Sequence, residues 1–200
     1  MEMIWSIPQI LTMQGAGVRV QGPPRAQGDL GSDAVWFDGR EDMLVVEGHP
    51  LKGATAFTLE ALFFPQPGGG EEQRFVHLQK TGGADRVLLE TRLTGDRRHW
   101  YGDTFIGAKG GEYFLNDPRL THPTGRWYVL SLRYAAGVME QYVNGERELS
   151  REACWENWEE GQVALGQRLN GVSPFYGGLA RIRMVDRALP PEELWKPPGE

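Results

Sequence analysis

A single cysteine, Cys154, is all the thiol chemistry this chain has, so it can build neither an internal disulfide nor a cysteine-based metal centre. Its histidines show no His-x-His or His-x-x-x-His spacing, which removes zinc as an expectation. No apolar run is long enough to cross a bilayer, so membrane insertion is not expected. The opening Met1 to Pro8 has no basic stretch and its short apolar run is broken by Pro8 and Gln9, so it does not read as a signal peptide. Basic clusters are missing as well. With a formal net charge of -6 the chain would repel a phosphate backbone, and nucleic acid is not an expected partner. No serine sits in a nucleophile-elbow string and no glycine-rich loop leads into a helix, which leaves acyl transfer and nucleotide chemistry without residues. Helical periodicity is scarce too. The one helical turn expected is Pro190 to Leu194, where proline is tolerated at the first position and Glu192 and Glu193 suit the helix dipole.

What the chain does have is period-two alternation and turns. Its 200 residues are 40% hydrophobic and 24% charged, with 27 glycines and 13 prolines, which is the composition of one turn-rich globular domain over 1–200. Met139 to Val143 and Glu146 to Leu149 flank Asn144-Gly145, the pair that supplies the two positive φ angles of a type I′ hairpin turn. Gln162 to Leu165 and Leu179 to Val185 alternate as strands with one buried and one wet face. Near the start, a strand pair around Ile4 and Val18 to Gln21 is expected before Gly22-Pro23-Pro24. After it, Ala34 to Asp38 is expected to turn at Asp38-Gly39 into a hairpin with Met43 to Val46. Phe57 to Phe64 runs into the flexible Pro65 to Gly70, and Phe75 to Lys80, Val87 to Leu93 and Trp100 to Ile106 are expected to follow as a meander.

Several of these strings carry a resemblance. W-F-D-G-R-E-D-M-L-V-V (Trp36 to Val46), Y-V-N-G (Tyr142 to Gly145), F-Y-G-G-L-A-R-I-R-M-V (Phe175 to Val185) and A-L-P-P-E-E-L (Ala188 to Leu194) resemble the laminin-G-like, concanavalin A-like jelly-roll domains over roughly Ala34 to Leu194. The resemblance implies an all-β fold, a two-sheet antiparallel sandwich. It also implies a secreted, periplasmic or cell-surface location and a polysaccharide or glycan partner on the curved sheet. Many members hold one structural calcium, for which Asp38 and Asp42, with Glu41, are the candidate ligands here; the plainer reading is a turn-forming Asp-Gly beside solvated acids, and no other cofactor is required. Val129 stands where the family usually has a histidine, so no role of that residue carries over.

Strand parity then proposes a site. Residues two apart share a face, so a meander would align Glu60, His77, Gln79, Glu90, Arg92, Tyr101 and Asp103 in one polar row, with Phe75 on the His77 side. Such a row offers carboxylates and a guanidinium fork to sugar hydroxyls and a ring for a pyranose face. The plainer reading is a half-wet sheet tied by cross-strand ion pairs. Two catalytic alternatives stay open. Lyases of this fold abstract a uronate C5 proton, which His77 as base, Tyr101 as acid, and Arg92 with Gln79 as carboxylate neutralisers could reproduce, although the usual Q-x-H and R-x-E-x-R strings are not present. A glycosidase needs two carboxylates roughly 5–9 Å apart, and the E-x-D-x-x-E string is missing. A third reading is a protein-interaction or structural module. Trp155 and Trp158 are expected to pack over a sheet edge rather than form an open platform, and Cys154 to be a small core residue.

Overall fold

The computed structural model describes every residue except 30, 31, 109 and 200, and of residues 29 and 32 only the backbone. Among the described residues, two antiparallel sheets hold all the strands. The first sheet contains β1 (Glu2–Ser6), β3 (Arg25–Asp29), β4 (Ser32–Asp38), β6 (Phe57–Pro65), β12 (Tyr128–Ala135), β13 (Val138–Val143), β14 (Glu146–Glu152) and β16 (Tyr176–Val185). Its order is β14-β13-β12-β6-β16-β4-β3, with β1 also on β16. The second contains β2 (Val18–Gln21), β5 (Met43–Glu47), β7 (Glu72–Lys80), β8 (Arg86–Leu93), β9 (His99–Ala108), β10 (Gly111–Asn116), β11 (His122–Pro123) and β15 (Gly161–Leu165). Its order is β10-β9-β8-β7-β15-β5-β2, with β11 on β9. This is the two-sheet antiparallel sandwich that the resemblance implies.

The core forms where the two inner faces meet. On β6, Phe57, Leu59, Ala61 and Phe63 point inward, and the Phe63 ring stacks on Phe75 of the facing sheet at 4.5 Å and meets Trp100 edge-on at 5.1 Å. The alternate residues Leu62 and Phe64 are also buried, because Trp127, Val129 and Ala180 cover them on the outer face of the first sheet. Asn144 and Gly145 have φ of 52° and 83°, and the β13–β14 hairpin closes on them as its two-residue turn. The last helical turn falls at Pro191–Glu193.

Three local expectations are corrected. Strands β1 and β2 do not pair: β1 lies on β16 and β2 on β5, in opposite sheets. The Asp38-Gly39 turn likewise joins β4 of one sheet to β5 of the other; Asp38 Oδ1 accepts the N–H groups of Arg40 and Glu41 at 2.8 and 3.2 Å, which makes a tight turn but not a hairpin. Finally, Ile7–Thr12 is an α-helix, α1, with Pro8 in its first turn and Ile7 and Ile10 buried. One and a half turns are too short to register as a helical period.

Candidate functional site

The outer face of the second sheet is set by cross-strand register. Strand β7 opposes β8 with Glu72↔Arg92, Arg74↔Glu90, His77↔Leu88 and Gln79↔Arg86, and β8 opposes β9 with Glu90↔Asp103 and Arg92↔Tyr101. A bulge between Arg74 and Val76 makes Phe75 and Val76 both core residues. Phe75 therefore leaves the face that parity assigned to it. The same bulge keeps Glu72 and Arg74 on the side of His77 and Gln79. Six of the seven expected residues, His77, Gln79, Glu90, Arg92, Tyr101 and Asp103, share this face.

Glu60 does not. It lies on β6 in the first sheet, fully buried on that sheet's outer face under the C-terminal segment. There it accepts hydrogen bonds from Arg183 Nε at 2.5 Å, Ser131 Oγ at 2.9 Å and the Trp195 N–H at 2.9 Å. Parity tells which residues of one strand share a face, but not which sheet the strand joins.

At the heart of the face is a chain of ion pairs. Arg92 Nε meets Asp103 Oδ2 at 2.5 Å and Arg92 Nη1 meets Glu72 Oε1 at 2.9 Å. Arg74 then holds Glu72 Oε2 at 2.9 Å, Glu90 Oε2 at 2.7 Å and the Ser173 hydroxyl. Glu90 and Asp103 are buried, whereas Arg92, Glu72 and Tyr101 keep part of their surface in water. Burial pushes Glu90 up to about 7 against the pull of Arg74, with the Asp103 charge adding to the rise. Arg92 is raised despite its burial, because it donates to Asp103 and sits beside Glu72. Beyond Asp103 the face becomes aromatic. Phe105 of β9 opposes Phe114 of β10, which is 49% exposed, and Arg86 lies 4.5 Å over the Phe105 ring.

A loop closes the other end. Gly166, at φ +88°, turns the chain out of β15 where a Cβ would come within 2.2 Å of Phe37 and 2.8 Å of the Asp42 carbonyl, so only glycine fits. The following residues return over β7: the Ser173 carbonyl accepts the Arg74 N–H at 2.9 Å, and the Leu169 N–H donates to His77 Nδ1 at 3.1 Å. His77 is 1% exposed beneath this roof. Its pKa falls to about 3, first through burial and then through the charges of Arg168, Arg86 and Arg74.

The row is thus one face but not one hollow. His77 and Tyr101 stand two strands and four β8 positions apart, roughly 16 Å. Gln79 and Arg92 are separated by six β8 positions, about 20 Å, so they cannot neutralise one carboxylate. The set His77, Gln79, Arg92 and Tyr101 does not gather around a single proton. Sequence reasoning missed Glu72 and Arg74 because E-E-Q-R reads as connection rather than strand, and Arg86 and Arg168 because both lie outside the strand segments from which the polar row was assembled.

Other candidates resolve simply. Asp38 Oδ1 and Asp42 Oδ2 accept backbone N–H groups, Asp42 Oδ2 from Asp38 at 3.0 Å, while Asp42 Oδ1 is buried without a protein partner; no group of three or more His, Cys, Asp or Glu suited to a metal occurs among the described residues. Trp158 is buried and stacks on His49 at 4.6 Å, while Trp155 donates to the Ala54 carbonyl at 2.9 Å, so both pack at the edge as expected. Cys154 is exposed rather than a core residue. Among the described residues no helix is long and apolar enough to cross a membrane.

Two cavities bear on the site. One of about 310 Å³ lies where the roof meets β7 and β15, lined by Gln79, Gln162, Arg168 and Leu169 among others. A larger one of about 590 Å³ lies on the first sheet, floored by Leu62 and Val129 beside Trp195.

Comparison with solved structures finds this architecture repeatedly. Domain 4 of AbnA, a GH43 extracellular arabinanase from Geobacillus stearothermophilus solved with arabinotriose, superposes with a TM-score of 0.71 at 14% identity, covering 95% of this chain and 94% of that one. The botulinum neurotoxin serotype D binding domain gives 0.64 at 13% identity, covering 88% of this chain and 44% of that one. The NanB sialidase of Streptococcus pneumoniae gives 0.62 at 14%, covering 84% and 28%. At these identities the likeness establishes the fold. By sequence, comparison with curated proteins yields no match. The family described as the Concanavalin A-like lectin/glucanases superfamily matches residues 38–194, more than half of the chain, so this protein belongs to that superfamily.

Proposed function

We propose that the chain is a non-catalytic carbohydrate-binding domain that takes a polysaccharide or glycan along the outer face of the second sheet. The observation that carries this is the junction of two chemistries on β8 to β10. The Glu72–Arg92–Asp103 ion pairs fix hydrogen-bonding groups in place, and Tyr101, Phe105 and the exposed Phe114 lie alongside on the same face. Sugar recognition asks for that combination: flat rings for the C–H faces, and held donors and acceptors for the hydroxyls. The arabinanase domain crystallised with arabinotriose supports the reading, as does membership of a lectin and glucanase superfamily. A secreted or cell-surface location goes with it. The larger cavity on the first sheet, where Asp33, Arg181 and Lys196 surround Leu62 and Val129, is the weaker candidate because it offers one ring, Trp195, against Tyr101, Phe105 and Phe114 on the second sheet.

The reading is tested by titrating a neutral and acidic oligosaccharide panel into wild type, Tyr101→Ala and Phe114→Ala. Each substitution should weaken binding about tenfold, the loss expected for a stacked ring, with little change in melting temperature because Phe114 is exposed and Tyr101 only half-buried. Unchanged affinity in both variants would remove the face from consideration.

A further inference from the structure

The roof over β7 gathers cationic and donor groups without enough acceptors. His77 Nδ1 accepts the Leu169 N–H, so the neutral ring carries its proton on Nε2, and that N–H is buried with no protein acceptor among the described residues. Nε of Arg168, on the neighbouring loop residue, and Nε of Arg86 are also buried without an acceptor. Arg86 has its Nη2 on Glu112 at 2.8 Å, whereas Arg168 pairs with no carboxylate among the described residues. Arg168 also lines the 310 Å³ cavity, with Gln79 and Gln162 on its β7 and β15 side. Buried donors normally find partners, and a cluster of them around one unpaired guanidinium describes the complement of an oxyanion.

We propose that Arg168, supported by Arg86 and the Nε2–H of His77, forms an anion-binding site that takes the carboxylate or sulfate of an acidic glycan. This rests on the glycan reading above and narrows it to acidic sugars. The electrostatics agree: burial, then repulsion from Arg86 and Arg74, depresses the Arg168 pKa against the weaker pull of Glu90 and Glu112.

The test uses trigalacturonate, its fully methyl-esterified form and sodium sulfate, with wild type, R168Q and R168K compared by calorimetry and melting temperature. Trigalacturonate should bind wild type at least tenfold more tightly than the ester; R168Q should bring the two to parity with ester affinity unchanged, and R168K should keep part of the preference. If acid and ester bind alike, or the preference survives in R168Q, the anion site is overturned while glycan binding stands. If neither saccharide binds but sulfate raises the melting temperature of wild type more than that of R168Q, the anion site stands and the glycan reading falls. If no probe separates wild type from R168Q, the anion site falls.

Discussion

Replacing Glu60 by alanine is expected to lower the free energy of unfolding by about 3–5 kcal/mol, the cost of stranding one member of a buried ion pair. Arg183, with a side chain 10% exposed, would lose a fully buried counter-charge and keep the partly exposed Glu2 at 3.6 Å, and the Trp195 N–H would lose its acceptor. The damage would spread along the C-terminal segment. That segment is held to the first sheet by Glu60, by the Arg183 Nη2 bond to the Glu193 carbonyl at 2.7 Å, and by Thr58, whose hydroxyl accepts the Leu189 N–H at 2.8 Å. Glu60→Gln keeps an acceptor for Trp195 and Ser131 but not the charge, so its loss should be intermediate. Urea unfolding followed by tryptophan fluorescence measures both. A loss below 1 kcal/mol for the alanine variant would mean the strap is held by its apolar contacts alone. Because Glu60 lies on the opposite sheet, saccharide affinity per folded molecule should not change.

The second large effect is the dependence of stability on pH. His77 has a folded pKa of about 3, below the ordinary 6.5, so the unfolded chain binds more protons between those values. Its native-state stability is complete above about pH 6.5 and declines as pH falls toward 3. Glu90 runs the other way: its folded pKa of about 7 exceeds the ordinary 4.5, so its contribution is complete below about 4.5 and declines as pH rises to 7. Between these limits the two slopes oppose each other, and below about pH 4.5 the His77 titration acts alone. His77→Gln preserves an acceptor for Leu169 and a donor in place of Nε2–H while removing the titration. Between pH 5.5 and 3.5 the ligand-free variant should therefore lose about 2–3 kcal/mol less unfolding free energy than wild type. Equal losses in urea titrations at the two pH values would show that His77 is hydrated and titrates normally. Arg168, Arg86 and Arg74 are the charges that act on it.

Much of the architecture is legible in the sequence because its signals are local. Asn144-Gly145 can make little other than a tight hairpin, and the strands from Phe57 to Val185 alternate strongly enough to be placed. What escapes is non-local. Asp38-Gly39 announces a turn without saying that the chain changes sheets there, and Glu60 has the right parity in the wrong sheet. Phe75 was misplaced because one inserted residue on β7 reverses the alternation, and nothing in R-F-V-H advertises the bulge. The candidate site was half visible for the same reason. Period-two spacing found Glu90, Arg92, Tyr101 and Asp103, which the ladder aligns, but not the roof from Gly166 to Phe175, which covers His77 and brings in Arg168.

The central claim is that sugars lie on the outer face of the second sheet. Amide chemical-shift mapping by nuclear magnetic resonance, with an oligosaccharide from the panel that binds, tests it most directly. The account predicts perturbations concentrated on β7 to β10 around Arg92, Tyr101, Phe105 and Phe114. Perturbations concentrated instead around Asp33, Val129 and Trp195 on the first sheet would contradict it.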